Sequence, residues 1–169
     1  MKPSTLFCRS TADFSKDRIY RYTLIRQWGE TGRTVNFVML NPSTADEYAN
    51  DPTVERCQRR AAAWDFDRLI VTNLFALRAT DPRALKTVGD PVGPQNDAFL
   101  VSCASDADLI ICAWGNHGTQ AGRSTFVGGM LRRLGKPLHV LRLAKTGQPC
   151  HPLYLPYSAQ PCTWREHRT

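Results

Sequence analysis

The chain has 169 residues, of which 42% are hydrophobic and 22% are charged. This balance is ordinary for one globular domain that buries a core. The formal net charge of +7 favours anionic partners such as nucleic acid, nucleotides or anionic membranes, although solubility alone also accounts for a modest net charge. No apolar run reaches membrane-spanning length and the first residues form no signal peptide, so we expect a cytoplasmic protein without a membrane partner.

The six cysteines lack the close C-x-x-C spacing of zinc and iron–sulfur sites. We therefore expect free thiols in a reducing compartment, with no metal and no cofactor. These cysteines are Cys8, Cys57, Cys103, Cys112, Cys150 and Cys162.

Four near-continuous apolar runs, separated by helical segments, predict the main strands of the fold. The predicted strands cover 35–40, 68–74, 108–114 and 138–143, and the predicted helices cover 52–63, 95–105 and 125–134. The first of these helices should begin at Asp51 with Pro52 in its first position, and a short helix should open at Asp81 and Pro82. The sequence predicts a hairpin followed by a short helix or edge strand in residues 1–33. It predicts a loosely ordered tail in residues 157–169. The sequence thus predicts a single α/β domain, three layers deep, with a mainly parallel four-stranded sheet.

Unusual residues stand where the predicted strands end. They are Asn41-Pro42, Asn73, Trp114-Gly115 with Asn116 close behind, and His151-Pro152 after the fourth strand. Carboxyl ends of parallel strands share one edge, so these side chains should converge on one crevice. An amide offers a donor and an acceptor together, as the edge of a nucleobase requires, and a histidine can donate to a developing anion. Taken singly, each residue also fits an ordinary structural role as a turn residue, a capping residue, a core tryptophan or a surface-loop residue.

In order and spacing these segments resemble the signature motifs of the uracil-DNA glycosylase superfamily. Leu40-Asn41-Pro42-Ser43 resembles the Gly-Ile-Asn-Pro-Gly motif of the mismatch-specific branch, and Val71-Thr72-Asn73-Leu74 matches a strand that ends in a base-reading asparagine. Ala113-Trp114-Gly115 matches a Leu-Trp-Gly strand end, and His151-Pro152-Leu153-Tyr154 matches part of a His-Pro-Ser loop. The chain is also similar to a family of small bacterial and phage proteins, through 41–46, 73–76 and 151–154.

The resemblance implies a glycosylase-like fold and a monofunctional DNA glycosylase that flips a base and leaves an abasic site. Two departures favour a different or enlarged base over uracil. Asn41 stands where the uracil-specific branch keeps a water-activating aspartate, and Leu153 replaces the serine of the last motif. Modified viral DNA is a reasonable target, in single or double strands, and we expect a monomer.

The resemblance and the strand-end positions together assign expected roles. Asn41 would hold the water, Asp46 or Asp51 would assist it, and His151 would donate to the leaving base. Asp46 fits a cap equally well. Asn73 would read the base. The candidates for stacking on that base are Tyr48, Phe75 and Trp114. The candidate DNA and phosphate contacts are Ser43, Thr44, Arg78, Arg123, Lys145 and Tyr154.

Two other classes of function fit the same residues. One is hydrolysis or transfer on a free nucleotide or nucleoside, which needs a closed pocket rather than a wide basic rim. The other is a non-catalytic nucleic-acid or nucleotide-binding module, which the missing aspartate favours. Zinc deaminases, P-loop proteins and Rossmann proteins are disfavoured because their motifs do not occur.

Overall fold

One mixed sheet of seven strands organises the computed structural model, which describes residues 9–30 and 32–165. The strands are β1 (Arg9–Phe14), β2 (Arg21–Gln27), β3 (Thr34–Met39), β4 (Arg68–Asn73), β5 (Leu109–Cys112), β6 (Leu138–Val140) and β7 (Cys162–Thr163). Their order across the sheet is β1-β2-β4-β3-β5-β6-β7. The four apolar runs form the parallel centre, where β3 lies between β4 and β5, and β6 follows β5.

The prediction of a mainly parallel, four-stranded sheet was therefore incomplete. Antiparallel pairs join β1 to β2, β2 to β4, and β6 to β7, so they equal the parallel pairs in number. The added strands do not read as continuous apolar runs. Strand β2 carries two arginines, Arg21 and Arg26, which are nevertheless buried, and β7 is only two residues long.

Helices cover both faces of the sheet, which gives the three layers that the sequence predicts. The helices are α1 (Pro52–Ala63), α2 (Asn96–Asp106) and α3 (Arg123–Arg132), with 3₁₀ turns at Pro82–Lys86, Asn116–Gly122 and Pro152–Tyr154. On one face, Val54 and Cys57 of α1 pack with Phe37 of β3. On the other face, Leu100 of α2 and Val127 of α3 join a second core cluster.

Helix α1 begins as predicted. Asp51 is its N-cap, because the Oδ1 atom accepts a hydrogen bond from the Val54 amide at 2.9 Å, and Pro52 occupies the first position. A proline loses nothing there, since that amide would have no partner within the helix. The cap anchors the loop 42–51, which leads from β3 to α1.

The two terminal regions belong to the sheet. Strands β1 and β2 pair as an antiparallel hairpin. The predicted loose tail was wrong for β7, and Trp164 just after it packs edge-on against Trp114 with 5.6 Å between ring centroids. Residues 1–8 and 166–169 lie outside the described residues.

Among the described residues, no helix combines the length and the apolar character needed to cross a bilayer. The five cysteines in this part of the chain are free thiols, and Cys8 lies outside it. Burial raises the pKa of Cys112 to about 12, because a thiolate loses its hydration inside the core.

Candidate functional site

A cavity of about 730 Å³ opens at the carboxyl edge of the parallel strands. Its lining includes Asn41, Asn73, Trp114, Asn116 and His151, which are the residues that the strand-end pattern places together. The volume lies within the range of roughly 300–1,000 Å³ that is typical of small-ligand sites. The edge is therefore a concave site with several polar groups.

Asn41 follows β3 directly, and its amide has a defined orientation. The Nδ2 atom donates to the Ala79 carbonyl at 2.7 Å and to the Pro42 carbonyl at 3.1 Å. Pro42 fixes its own backbone and cannot continue the strand, so the chain turns here. Because both donors of the amide are used, its oxygen is the atom left to accept a hydrogen bond from a ligand or water.

Asn73 ends β4, and among the buried side chains in the described part of the chain it alone has two polar atoms without a hydrogen-bond partner. It is 1% exposed, and neither Oδ1 nor Nδ2 has a hydrogen-bond partner. A buried polar group without partners costs about 1–3 kcal/mol. Its backbone is firmly held, because Asn96 at the start of α2 donates to the carbonyls of Asn73 at 2.9 Å and Leu74 at 3.1 Å.

His151 is the N-cap of the short turn Pro152–Tyr154. Its Nδ1 atom accepts a hydrogen bond from the Leu153 amide at 3.3 Å. An accepting Nδ1 is unprotonated, so the neutral ring carries its hydrogen on Nε2 and can donate there. Burial lowers the pKa of His151 below its ordinary value of 6.5, and the charge of Asp51 opposes this only in part. The imidazole is therefore neutral at pH 7.

Two arginines of α1 hold the segment that follows His151. Arg60 is buried and donates to the carbonyls of Leu155 at 2.8 Å and Pro156 at 3.0 Å, and its pKa is lowered by burial. Arg56 donates to the Leu155 carbonyl as well, and both guanidinium groups lie over the Tyr157 ring. These contacts fix a loop that would otherwise have no regular structure to hold it.

Trp114 and Gly115 lie just after β5 and line the cavity. The indole Nε1 donates to Gln148 Oε1 at 3.0 Å, so the ring is fixed within the core cluster as well as lining the site. Gly115 has φ of 75° and ψ of −174°, a conformation that side chains disfavour, and a Cβ there would lie 3.8 Å from the Cβ of His151. The glycine thus turns the chain beside His151.

The structure separates the two carboxylates that the sequence left as alternatives. Asp46 lies outside the cavity lining, and its Oδ1 accepts from the amides of Tyr48 at 2.8 Å and Ala49 at 2.9 Å. Those hydrogen bonds lower the pKa of Asp46, which caps a turn. Asp51 lines the cavity as well as capping α1. Of the two carboxylates that the sequence left as alternatives, only Asp51 lines the cavity.

The remaining predicted contacts divide sharply by position. Ser43 and Tyr154 line the cavity, and Tyr154 is 85% exposed at its rim. The residues outside the lining are Tyr48, Thr44, Phe75, Arg78, Arg123 and Lys145. Phe75 is buried in the core cluster and Tyr48 is exposed away from the cavity, so neither is placed to stack on a ligand there.

Arg123 has a structural role instead of the predicted phosphate contact. Its Nη2 donates to the Leu74 carbonyl and to Asp97 Oδ1, both at 2.8 Å, and the side chain is buried. Arg78 lies over the Phe14 ring, 4.9 Å from its centroid, whereas Lys145 is exposed. None of these three predicted basic contacts lines the cavity.

Sequence reasoning missed Arg21, at the start of β2, and Arg142, just after β6. Both line the cavity. Arg21 is 2% exposed, and burial lowers its pKa to about 10 although Asp51 opposes the shift. An arginine in a strand has no local signature that distinguishes a buried side chain from an exposed one, so no sequence pattern identified it.

These groups can together bind a planar polar ligand. The Asn73 amide has an unused donor and acceptor, which are buried and meet a ligand when the side chain turns into the cavity. His151 offers an N–H donor, and the Asn41 oxygen can accept from water. Arg21 adds a buried positive charge, and Asp51 adds a carboxylate.

Comparison with known proteins identifies one family. The model of the family described as "Protein of unknown function (DUF1643)" matches residues 21–153, which include β2 to β6 and His151. No curated protein and no solved structure matches the chain.

Proposed function

We propose that this chain, which belongs to the DUF1643 family, is a DNA glycosylase that hydrolyses the N-glycosidic bond of a flipped, modified base. The observation that carries the proposal is the amide of Asn73, which is buried at a cavity and has no partner at either polar atom. A ligand with a complementary donor and acceptor would remove that cost, and a nucleobase edge has this character. A glycosylase-like fold is part of the same proposal.

His151 acts on the leaving base. When the glycosidic bond breaks, the bonding electrons pass to the base, which becomes an anion. The Nε2–H of the neutral imidazole donates to the oxygen or nitrogen that carries this charge. Hydrogen bonding from Leu153 fixes the ring in the required tautomer, and Arg60 holds the following segment in place.

Asn41 acts on the water. Its Nδ2 is held by Ala79 and Pro42, so the Oδ1 atom accepts from a water molecule in one orientation. That water forms a bond to the sugar carbon as the bond to the base breaks, and the proton that it then loses passes through solvent to the base anion, which leaves as a neutral base. Asp51 is the carboxylate of the cavity, and its negative charge stabilises the cationic character that the sugar develops.

The size of the site supports an enlarged base. A cavity of about 730 Å³ suits a drug-sized ligand, whereas a pyrimidine ring alone would leave much of it empty. In this proposal DNA supplies the flipped nucleotide, and a substituent on the base occupies part of the remaining volume.

The test is release of free base from DNAs that carry different modified bases. Mass spectrometry identifies the released base, and alkaline cleavage reports the abasic site. Asn73→Ala should slow release of the preferred base and change which base is accepted, because its amide would face the base edge. Asn36→Ala is the matched control, because Asn36 is also a buried strand asparagine but bonds within the sheet and does not line the cavity.

Equal release by wild type and Asn73→Ala would contradict the role of the amide. No release by wild type from any tested base would leave a non-catalytic nucleic-acid module as the better reading.

A second candidate is hydrolysis or transfer on a free nucleotide or nucleoside. The observation that favours it is that the predicted phosphate contacts Arg78, Arg123 and Lys145 all lie outside the cavity lining. Nucleosides and nucleotides with the same modified bases belong in the same release assay. Faster release from the free nucleotide than from DNA would favour this candidate.

A further inference from the structure

Arg21 is a buried cation that the proposed mechanism does not use. Its Nη1 donates to the Ala45 carbonyl at 2.9 Å, while its Nε is buried without a hydrogen-bond partner. No carboxylate among the described residues forms an ion pair with it. Asp51 is the main opposing charge, but its own oxygens accept from the amides of Val54 and Ala45.

The position of Arg21 indicates which part of a ligand it meets. Along the carboxyl edge the order of strands is β2, β4, β3 and β5, so Arg21 lies beyond Asn73, whereas Gly115 and His151 lie at the far side of Asn41. In the proposed function, His151 is near the bond that breaks and Asn73 reads the base edge. Arg21 would then face the portion of the base remote from the sugar.

We propose that Arg21 binds an anionic oxygen group, a carboxylate or a phosphate, on the ligand of this cavity. The Nε–Nη2 edge of a guanidinium fork matches two oxygens of such a group, and the pair is strengthened where water is excluded. The assignment to a substituent of the excised base rests on the proposed function. The same chemistry is also present in the phosphate of a free nucleotide.

Arg26 provides a control that tests whether the role of Arg21 is purely structural. Arg26 of the same strand is also buried and also holds the loop after β3, by donating to Asn50 Oδ1 at 3.0 Å and to the Ala49 carbonyl at 3.2 Å. Arg26 does not line the cavity. Replacing either arginine disturbs the loop, but only Arg21→Met removes the charge from the site.

The first arm measures binding of DNA with one modified cytosine, on a 2′-fluorinated sugar that resists hydrolysis. Wild type should bind 5-carboxycytosine at least about tenfold more tightly than 5-methylcytosine, as expected for a charge-assisted hydrogen bond. Arg21→Met should remove the preference and Arg26→Met should keep it. Arg21→Lys, which keeps charge without the fork, should retain part of it.

The second arm compares deoxycytidine 5′-monophosphate with deoxycytidine. A preference for the phosphate that Arg21→Met removes, without a preference for the carboxylated base, supports the anion site and assigns its source to a free nucleotide. Equal binding of anionic and neutral probes by wild type in both arms would overturn the proposal. So would an equal loss of preference in Arg21→Met and Arg26→Met.

Base release is scored separately from binding. A charge preference that depends on Arg21, without release of any base, leaves the anion site standing and removes the glycosylase. Release with no charge preference keeps the glycosylase and removes the anion site.

Discussion

Buried asparagine side chains differ in hydrogen bonding between the interior of the parallel sheet and its carboxyl edge. In the interior, the Nδ2 atom of Asn36 donates to the Ile70 carbonyl and to Thr72 Oγ1, both at 3.2 Å, although its Oδ1 has no partner. At the edge, the amide of Asn73 is equally buried and makes no hydrogen bond at all. The side chain of Asn36 joins two strands, whereas the side chain of Asn73 makes no hydrogen bond.

This difference distinguishes a side chain that stabilises the fold from a side chain that is suited to binding a ligand. A buried group that costs free energy and is placed in a cavity is typical of a site whose partner comes from outside the chain. The surrounding contacts agree, since Asn96 and Arg123 both fix the backbone at Leu74 beside it. The chain holds the amide rigidly without satisfying it.

The largest expected effect concerns Asn41. In Asn41→Ala, base release should fall by about 10²–10³, because one preorganised group that acts in the transition state is lost. DNA affinity should stay close to that of wild type, since in the proposed mechanism the side chain contacts the water and not a phosphate. The rate of base release at saturating DNA measures this. Asp46→Ala is the control outside the cavity, and an equal loss of rate in both variants would contradict the assignment.

The next effect tests the comparison directly through stability. Asn36→Ala should lower the free energy of unfolding by about 1–3 kcal/mol, because its hydrogen bonds to the neighbouring strand are lost. Asn73→Ala should leave that free energy unchanged or raise it by about 1 kcal/mol, because an unsatisfied amide is removed. Urea titrations of both variants measure the difference. A large destabilisation by Asn73→Ala would mean that its amide is satisfied in the folded protein.

A smaller effect follows from His151 and depends on pH. Its pKa is lowered by burial below 6.5 in the folded chain, so the unfolded chain binds the proton more readily between the two values. The contribution of the neutral ring to stability is therefore complete above pH 6.5 and is lost as pH falls through the folded pKa. NMR titration of the ring nitrogens should give a midpoint below 6.5.

His151→Gln provides the comparison for that pH effect. Its free energy of unfolding should depend less on pH than that of wild type in the same window. A ring that titrates at or above pH 6.5 would contradict the neutral donor.

The smallest expected effect concerns Lys145, which is exposed and lies outside the cavity lining. Lys145→Ala should weaken DNA binding about equally for all sequences and reduce the salt dependence of the affinity by about one charge. Binding curves at several salt concentrations measure the slope. Affinity that is independent of salt in wild type would favour the free-nucleotide candidate over DNA.

Local pattern predicted much of the scaffold. The apolar runs identified the four parallel strands, and Asp51-Pro52 identified the start of α1, because capping and strand burial depend on neighbours in sequence. Pro42 after Asn41 marked the end of β3 for the same reason. The antiparallel strands were missed or underrated because β2 buries two arginines and β7 is very short.

The sequence alone therefore predicts the parallel centre of the sheet and the strand-end residues Asn41, Asn73 and Trp114. Parallel connections bring all carboxyl ends to one edge, so their gathering follows from strand order in the chain. Which other groups reach that edge depends on contacts between distant parts of the chain, and these are seen in the folded structure. Arg21 lies there because β2 pairs with β4, whereas Arg123 is held away by Asp97 and Leu74, and long-range pairing of this kind leaves no trace in the neighbouring sequence.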